Sequence, residues 1–197
     1  MLKKLKKALS HEYIYEKDKY YEIFLNKDLV FKGVKTLKEN SDLLFDQLID
    51  ITAVDYPSNE LRFELIYIFL SMKKNKRIVL KTLIREDSGI ETITPIYKSA
   101  DWYERECYDL FGIKFFNHPD LRRIMTDYNF EGYPLRKDFP LTGHSEVRYD
   151  EFEKKIIYEE VKLTQEFRDF DNVSPWEGIP NLLKGDEKSE ETDNEGN

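Results

Sequence analysis

Residues 101–125 (DWYERECYDLFGIKFFNHPDLRRIM) hold the highest density of chemically competent side chains in this 197-residue chain. The segment contains several carboxylates and arginines, an imidazole at His118 and the only cysteine of the chain, Cys107. Three kinds of site use such a set of residues: a catalytic site, a metal site, and a charged surface that docks on another protein.

The metal and nucleotide alternatives lack the required residues. A structural zinc ion takes four Cys or His ligands, and an iron–sulfur cluster takes about four thiolates. This chain has Cys107, His11, His118 and His144, which do not follow any ligand spacing. It also has no glycine-rich phosphate loop after a predicted strand. The sequence therefore predicts no metal or nucleotide bound by this chain.

Nucleophilic catalysis by Cys107 is the sharpest enzymatic hypothesis, with His118 as the base that would form the thiolate. However, Glu104, Glu106 and Asp109 surround the thiol, and negative charges raise the pKa of a cysteine. On a helix, Cys107 would also share a face with apolar side chains. We therefore expect a small core residue and not a nucleophile.

The carboxylates Glu104 and Glu106 cannot form an acid–base pair on a helix, because residues two apart point in nearly opposite directions. Residues four apart do share a face. That spacing predicts a lattice of side chains pairing Glu104 with Tyr108, Arg105 with Asp109, and Trp102 with Glu106. An ionic lattice of this kind suits recognition of another protein.

The composition agrees with docking by charge. Charged residues make up 36% of the chain and hydrophobic residues 40%, with a formal net charge of −8. The last twelve residues hold six acids and one lysine, or −5, so residues 1–185 carry only −3. A nearly balanced body argues against a nucleic-acid binder, which needs a basic face. The longest apolar run, 65–70, is far too short to cross a bilayer.

The elements that position these residues can be predicted in outline. The pattern of apolar runs and of β-branched and aromatic residues predicts strands at 20–25 and 50–56, an antiparallel hairpin of 61–70 with 77–84, and a second hairpin of 146–149 with 155–160. It also predicts a helix over 34–49, interrupted near Asn40, and a helix over 99–110 ended by Gly112. The basic start, MLKKLKKALS, is expected to be a solvated, frayed terminus, the alternative being a basic helix on a partner or lipid surface.

Residues 102–143 resemble the signature region of the 30-kDa subunit of respiratory complex I; their sequence is WYERECYDLFGIKFFNHPDLRRIMTDYNFEGYPLRKDFPLTG. That family includes bacterial NADH–quinone oxidoreductase subunits and an organelle-encoded NADH dehydrogenase subunit. The segments FDQLIDITAVDYP, EVRYD and LTQEFRDFDNVSPW extend the resemblance over about residues 40–178. Two departures are Tyr133, where the family usually has histidine, and Glu160, where proline is common.

The resemblance implies an α+β fold, a two-layer sandwich with a mixed β-sheet and helices on one face, followed by a long extended C-terminal arm. The expected division is a basic extension (1–18), the α+β domain (19–145), a hairpin and docking arm (146–185), and an acidic tail (186–197). It also implies a non-redox scaffold subunit beside the 49-kDa-type subunit and the subunit that carries the terminal iron–sulfur cluster. FMN, iron–sulfur clusters and quinone would then belong to partner subunits, and membrane contact would occur only through the complex.

The predicted subunit interface consists of charged and aromatic residues from the signature and the arm. They are Trp102, Glu104, Arg105, Glu106, Asp109, His118, Asp120, Arg122, Arg123, Arg136, Asp138, Phe167, Phe170 and Trp176. For Arg122, Arg123, Arg136 and Asp138 we expect ion pairs with neighbouring subunits, because their segment offers little local structure to pair with.

Two other interpretations stay open. One is the homologous subunit of a membrane-bound hydrogenase or formate hydrogenlyase, and the other is the free-standing cysteine enzyme disfavoured above. Only three alanines and many Lys, Ile and Asn residues indicate an AT-rich genome. With no presequence evident, this favours the matrix side of the mitochondrial inner membrane, the alternative being the cytoplasmic side of a bacterial inner membrane.

Overall fold

The computed structural model describes residues 1–9 and 13–163. The chain forms one compact unit from Met1 to Glu159 and a second from Glu160 to Asn197, nearly all of which lies outside the described residues. The elements in chain order are α1 (Leu2–Leu9), β1 (Ile14–Glu16), β2 (Tyr20–Phe24), α2 (Lys27–Glu39), β3 (Gln47–Asp55), β4 (Phe63–Ser71), β5 (Lys76–Ile84), β6 (Gly89–Glu91), α3 (Ala100–Phe111), β7 (Lys114–Phe116), β8 (Ser145–Asp150) and β9 (Lys155–Glu160).

A five-stranded sheet in the order β1-β2-β5-β4-β3 forms the framework. The pair β2–β5 is parallel and the other three pairs are antiparallel, so the sheet is mixed. The predicted α+β class with a mixed sheet is confirmed. The predicted central hairpin is confirmed as well, because β4 and β5 pair antiparallel along their full length, from Phe63 opposite Ile84 to Ser71 opposite Lys76.

Strand β4 shows how the sequence produces the core. Its buried and half-buried positions alternate without exception, and Phe63, Leu65, Tyr67 and Phe69 are each at most 1% exposed. Successive side chains of a strand point to opposite faces, so this alternation places one face of the sheet in the core. The buried apolar residues of α2 and α3 join the same apolar cluster. Burying each large side chain contributes about 1.5–3 kcal/mol, which holds the helices on the sheet.

The prediction of a helix over 34–49 is wrong in its bounds. Helix α2 begins after Asn26, whose side chain accepts a hydrogen bond from the backbone N–H of Asp28, and it ends at Glu39. Leu44 has a φ of 52°, which no α-helix accommodates. The apolar residues after Asn40 matched a helical period because a turn and then strand β3 happen to bury them at that spacing.

The expectation of a frayed N-terminus is also wrong. Residues Leu2–Leu9 form α1, and Leu5 is fully buried in the main core. Leu2, Ala8 and Leu9 pack against that core as partly buried residues. The apolar side of this basic helix is therefore used within the chain, and its lysines lie outward.

Helix α3 carries the first part of the signature, residues 102–111, and is placed as predicted. Gly112 ends the helix with a φ of 80°, and its N–H donates to the carbonyl of Tyr108 at 2.9 Å. A Cβ at Gly112 would lie 2.6 Å from Arg136 Nη2 and 2.7 Å from Tyr133 Cε2, so the turn fits only glycine. The chain then returns as β7, which pairs in parallel with β6 in a small second sheet that the sequence did not predict.

Strands β8 and β9 form a third, two-stranded sheet, which confirms the second predicted hairpin. The predicted docking arm beyond it, with Phe167, Phe170 and Trp176, and the acidic tail lie outside the described residues. In the described part of the chain no helix has the length and apolar character needed to span a bilayer.

Candidate functional site

The thiol of Cys107 lies in the core beneath α3. Cys107 is 2% exposed, and its Sγ donates to the carbonyl of Ile51 at 3.3 Å. Burial raises the pKa of the Cys107 thiol well above its usual value, and the charges of Glu106, Asp50 and Glu104 raise it further. A thiolate is therefore disfavoured at this position. The prediction that Cys107 is a core residue is confirmed.

The carboxylate of Glu104, one turn before Cys107 on α3, is buried as well. It is 0% exposed; its Oε1 accepts the N–H of Ile93 at 2.8 Å and its Oε2 lies 2.5 Å from Thr92 Oγ1. His118, whose side chain is also 0% exposed, places its Nε2 3.8 Å from Glu104 Oε2 and 3.2 Å from Asp101 Oδ1. Burial raises the pKa of Glu104 to about 7, although the hydrogen bonds from Thr92 and Ile93 lower it.

Asp109, the next buried acid of α3, organises the loop that follows β7. Its Oδ2 accepts three successive backbone N–H groups, from Ile124 at 2.9 Å, Met125 at 2.6 Å and Thr126 at 2.9 Å. Its Oδ1 accepts from Thr126 Oγ1 at 2.5 Å and from Arg123 Nη1 at 2.7 Å. These bonds offset the cost of burial and hold the pKa of Asp109 well below its usual range. One carboxylate thus fixes the backbone of residues 123–126.

Arg123 extends this arrangement outward. Its guanidinium donates to the carbonyl of Gly132 at 3.0 Å and lies 5.3 Å from the ring centre of Tyr133 and 5.7 Å from that of Phe130. Stacking of an arginine plane on aromatic faces adds to the ion pair with Asp109. Arg123 therefore ties the 123–126 loop to the segment around residues 130–133.

A second charged network anchors residues 133–138 on the edge of the main sheet. Asp55 and Arg62, at the facing ends of β3 and β4, form a two-bond ion pair of 2.8 and 3.0 Å. Arg62 also contacts Glu86 and Asp138 at 2.9 Å each, and Arg136 donates to Glu86 at 2.5 Å. The bond from Arg62 lowers the pKa of Asp55, and Asp55 raises that of Arg62. The backbone N–H of Lys137 donates to Asp55 Oδ2 at 2.8 Å.

These contacts correct three expectations about the signature. Arg105 is 8% exposed and donates to the carbonyls of Arg122 and Arg123, while Asp109 pairs with Arg123, so the predicted Arg105–Asp109 pair is wrong. Glu104 bonds Thr92 and Ile93 and is not part of an exposed lattice with Tyr108. The premise that four charged residues lack local partners is wrong too, because each forms an ion pair within the chain: Arg122, Arg123, Arg136 and Asp138.

The predicted interface residues divide by exposure. Glu104 and Asp109 are 0% exposed, and the side chain of His118 is 0% exposed as well, so none of these three side chains presents a surface to another chain, and their inclusion among the interface residues is corrected. Trp102 is 62% exposed, and the side chains of Arg122, Asp120 and Asp138 are 58%, 52% and 58% exposed. Glu106 is half-buried. For Trp102, Arg105, Glu106, Asp120, Arg122, Arg123, Arg136 and Asp138 the interface role stays a prediction.

Sequence reasoning missed the residues that complete these networks: Asp55, Arg62, Glu86, Thr92 and Thr126. They come from strand ends and loops up to 82 residues away from their partners, as in the bond from Lys137 to Asp55. No local spacing signals such a pairing. Among the residues described, no group of three or more His, Cys, Asp or Glu side chains is arranged to hold a metal ion.

Exposed apolar side chains concentrate after the signature helix. Residues 125–163, a quarter of the described chain, contain ten of its twenty exposed large hydrophobic residues. These ten are Met125, Tyr128, Leu135, Leu141, Val147, Tyr149, Phe152, Ile156, Tyr158 and Leu163. Apolar surface of this density on a solvent-exposed face indicates contact with another molecule.

The β8–β9 sheet shows how four of these residues share one face. Arg148 and Glu159 form an ion pair at 2.6 Å across the two strands, so they lie on the same face. Because side chains alternate along a strand, Val147 and Tyr149 of β8 and Ile156 and Tyr158 of β9 lie on the opposite face. We call these four residues the ribbon face. Each is 56–61% exposed.

Comparisons with known proteins agree on one family. Residues 23–145 match the family model of the "Respiratory-chain NADH dehydrogenase, 30 Kd subunit". The chain is 58% identical over 157 residues to the C subunit of NADH-quinone oxidoreductase from Ruegeria pomeroyi, covering 80% of this chain and 78% of the relative. It is 52% identical over 166 residues to the protein of the same name from Maricaulis maris, covering 84% and 83%.

A solved structure provides a more distant likeness. A chain in the structure of the membrane-bound sulfane sulfur reductase, an archaeal respiratory membrane complex, superposes with a TM-score of 0.61 at 26% sequence identity. The match covers 71% of this chain and 84% of that one. The two bacterial relatives are both C subunits of NADH-quinone oxidoreductase, which favours the NADH-quinone oxidoreductase interpretation.

Proposed function

The chain belongs to the family of the 30-kDa subunit of respiratory-chain NADH dehydrogenase, and from this premise we propose that it is a non-redox structural subunit of the peripheral arm of a proton-pumping NADH:quinone oxidoreductase. Its partners are other subunits of that complex. Among them we propose the 49-kDa-type subunit and the subunit with the terminal iron–sulfur cluster as its direct neighbours. FMN, the iron–sulfur clusters and quinone would then be bound by other subunits of the complex and not by this chain.

One observation supports the scaffold role: exposed apolar side chains lie in a part of the chain whose position is fixed by buried ion pairs. Asp109 and Arg123 fix residues 123–126, and Asp55 and Arg62 fix residues 133–138. The exposed apolar side chains of residues 125–163 lie within and directly after these segments. A fixed apolar surface loses little conformational entropy on docking, so it suits a permanent contact between subunits.

Tyr158 links the ribbon face to a neighbouring depression. Its hydroxyl donates to Asp127 Oδ2 at 2.7 Å, and its ring borders a cavity of about 660 Å³ that Tyr128, Phe130 and His144 also line. Aromatic residues beside a cavity are typical anchoring points of protein interfaces. This supports placing a neighbouring subunit over the ribbon face and the cavity together.

For localisation, the curated relatives reported above are bacterial proteins, which supports the cytoplasmic side of a bacterial inner membrane. The mitochondrial expectation gains no support from them. We propose that the chain reaches the membrane through its complex.

Assembly tests the proposal directly. The double variant Tyr149→Ser, Ile156→Ser removes two apolar side chains of the ribbon face and should reduce the yield of assembled complex at least tenfold on native gels. The free chain should keep its circular dichroism spectrum, because both side chains are exposed. Met72→Ser, at a residue 59% exposed in the β4–β5 turn, is the matched control and should assemble normally. Normal assembly of the double variant would contradict the interface.

A further inference from the structure

The buried carboxyl of Glu104 is connected to the protein surface by two threonine hydroxyls. Glu104 Oε2 lies 2.5 Å from Thr92 Oγ1, and Thr92 Oγ1 lies 3.0 Å from Thr94 Oγ1. Thr94 is half-buried and borders a surface groove of about 470 Å³. The groove is lined by Thr94, Pro95, Lys98, Asp101, Asn117 and Pro119. A continuous chain of oxygens thus leads from the acid to the groove.

The position of a proton on Glu104 follows from its neighbours. Oε1 already accepts the N–H of Ile93 at 2.8 Å, so a protonated carboxyl carries its proton on Oε2. Two groups face Oε2: Thr92 Oγ1 and, at 3.8 Å, His118 Nε2. His118 Nδ1 accepts the N–H of Asp120 at 3.1 Å, which places the hydrogen of a neutral ring on Nε2. Since an N–H cannot accept, Thr92 Oγ1 is the acceptor for the Glu104 proton.

Both charge states of Glu104 can be satisfied without moving a heavy atom. When Glu104 is protonated, it donates to Thr92, and Thr92 donates to Thr94. When Glu104 is ionised, Thr92 donates to Glu104, and Thr94 donates to Thr92. In both states Thr92 Oγ1 also accepts the backbone N–H of Thr94 at 3.1 Å. The two patterns differ only in the direction of the hydroxyl hydrogens.

In the described part of the chain, three further titratable groups lie near Glu104: Asp101, Tyr67 and Cys107. Asp101, on the same helix, adds a negative charge that opposes ionisation, and Tyr67 of β4 and Cys107 of α3 face it from the core. Burial raises the pKa values of Tyr67 and Cys107 well above their usual range, so both stay neutral near neutrality. Glu104 itself has a pKa of about 7 because of its burial.

We propose that Glu104, Thr92 and Thr94 form a proton-responsive hydrogen-bond relay that changes the groove at Thr94 from a hydrogen-bond donor to an acceptor when Glu104 ionises. With Glu104 protonated, the Thr94 hydroxyl receives a bond from Thr92 and its own hydrogen is free to point into the groove. With Glu104 ionised, that hydrogen is committed to Thr92 and only a lone pair faces the groove. The proton leaves to, and returns from, water.

NMR titration of the full chain tests the relay. In the unsubstituted protein, the side-chain carboxyl carbon of Glu104 and the methyl, Cβ and amide signals of Thr94 should shift together between pH 5.5 and 8.5, with one shared midpoint near pH 7. A Thr94 that does not titrate, or that titrates with a midpoint more than about one pH unit from that of Glu104, would overturn the proposal.

A substitution gives the second arm. In Glu104→Gln, the amide oxygen can accept from Ile93 and the NH₂ group can donate to Thr92, which reproduces the protonated pattern. The Thr94 signals should therefore stay at their low-pH positions across the range. Glu106→Gln, two residues along the same helix, should titrate like the unsubstituted protein. Thr94 signals that still follow pH in Glu104→Gln would refute the relay, and if that variant does not fold, the shared midpoint decides.

Discussion

Replacing Asp109 by asparagine tests how much a buried ion pair contributes to the stability of the fold, compared with an exposed one. Asparagine has the shape of aspartate and can keep one oxygen facing the three N–H groups of residues 124–126. Its NH₂ group would then face Arg123 Nη1, which lies 2.7 Å from the present carboxylate. A donor would meet a donor, and the guanidinium would lose its counter-charge.

The expected loss of stability follows from the burial of the Asp109–Arg123 ion pair. The side chain of Asp109 is 0% exposed and that of Arg123 is 15% exposed. Removing one partner of a buried ion pair costs about 3–5 kcal/mol. Arg123 keeps its bond to the carbonyl of Gly132, so we expect the lower end, about 3 kcal/mol of the free energy of unfolding.

Urea unfolding at pH 7, followed by far-ultraviolet circular dichroism, measures this loss. The matched control is Asp120→Asn, because Asp120 pairs with Arg122 at 2.9 Å but both side chains are more than half exposed. An exposed pair contributes about 0–1 kcal/mol, so the control should unfold nearly like the parent protein. If Asp109→Asn loses no more stability than Asp120→Asn, the loop is not held by this carboxylate and the reasoning fails.

The same substitution should also change the response to acid. The pKa of Asp109 is lowered in the folded chain, so its ionised form stabilises the fold. That contribution is fully present above the ordinary carboxyl pKa of about 4 and is lost as the pH falls below it towards the folded value. The difference in unfolding free energy between the parent protein and Asp109→Asn should therefore shrink below about pH 4. A difference that stays constant down to pH 2 would contradict the assignment.

Three further predictions concern the core thiol, the second network and the arm. Cys107→Ala should cost on the order of 1 kcal/mol of stability and leave NADH–quinone turnover of the assembled complex unchanged; a thousandfold loss of turnover would restore the nucleophile hypothesis. Arg62→Met strands the buried Asp55 and should cost about 3–5 kcal/mol in urea unfolding, whereas Arg85→Met, whose partner Glu60 is exposed, should cost less than about 1 kcal/mol. A chain ending at Lys162 should fold but fail to co-purify with the other subunits, and recovery of complex at near-native yield would refute the docking role of the arm.

The parts of the fold that sequence reasoning predicted are those with local signals. The apolar runs 61–70 and 77–84, separated by a short polar segment, indicated the hairpin of β4 and β5. Gly112 marks the end of α3 through a backbone conformation that glycine favours. Helix α2 was misplaced because Leu44 and Leu48 continue its apolar spacing into a turn and a strand. The pair of β6 and β7 has only three residues per strand and joins segments 25 residues apart, so no local pattern indicated it.

Sequence reasoning identified the helix that carries the buried charges but not the partners of those charges. The density of charge in 101–125 correctly drew attention to α3, and Cys107 was correctly placed in the core. Which charges are buried depends on partners such as Arg62, Glu86 and Thr92, and no spacing in the sequence indicates these long-range contacts. An i, i+4 pattern identifies residues that share a helix face, but it cannot show that Asp109 accepts from a loop instead of from Arg105.

The buried charges are better explained by specificity than by net stability. Replacing a buried ion pair by apolar residues is often neutral or stabilising, so Asp109–Arg123 and Asp55–Arg62 are poor devices for stability alone. They do, however, require one geometry, because any other leaves a buried charge unpaired. Between residues 117 and 144 the chain has no helix or strand to set its path, and these pairs set it instead. We infer that the charges of the signature fix the exposed apolar residues of this region in a single arrangement, ready for recognition by a neighbouring subunit.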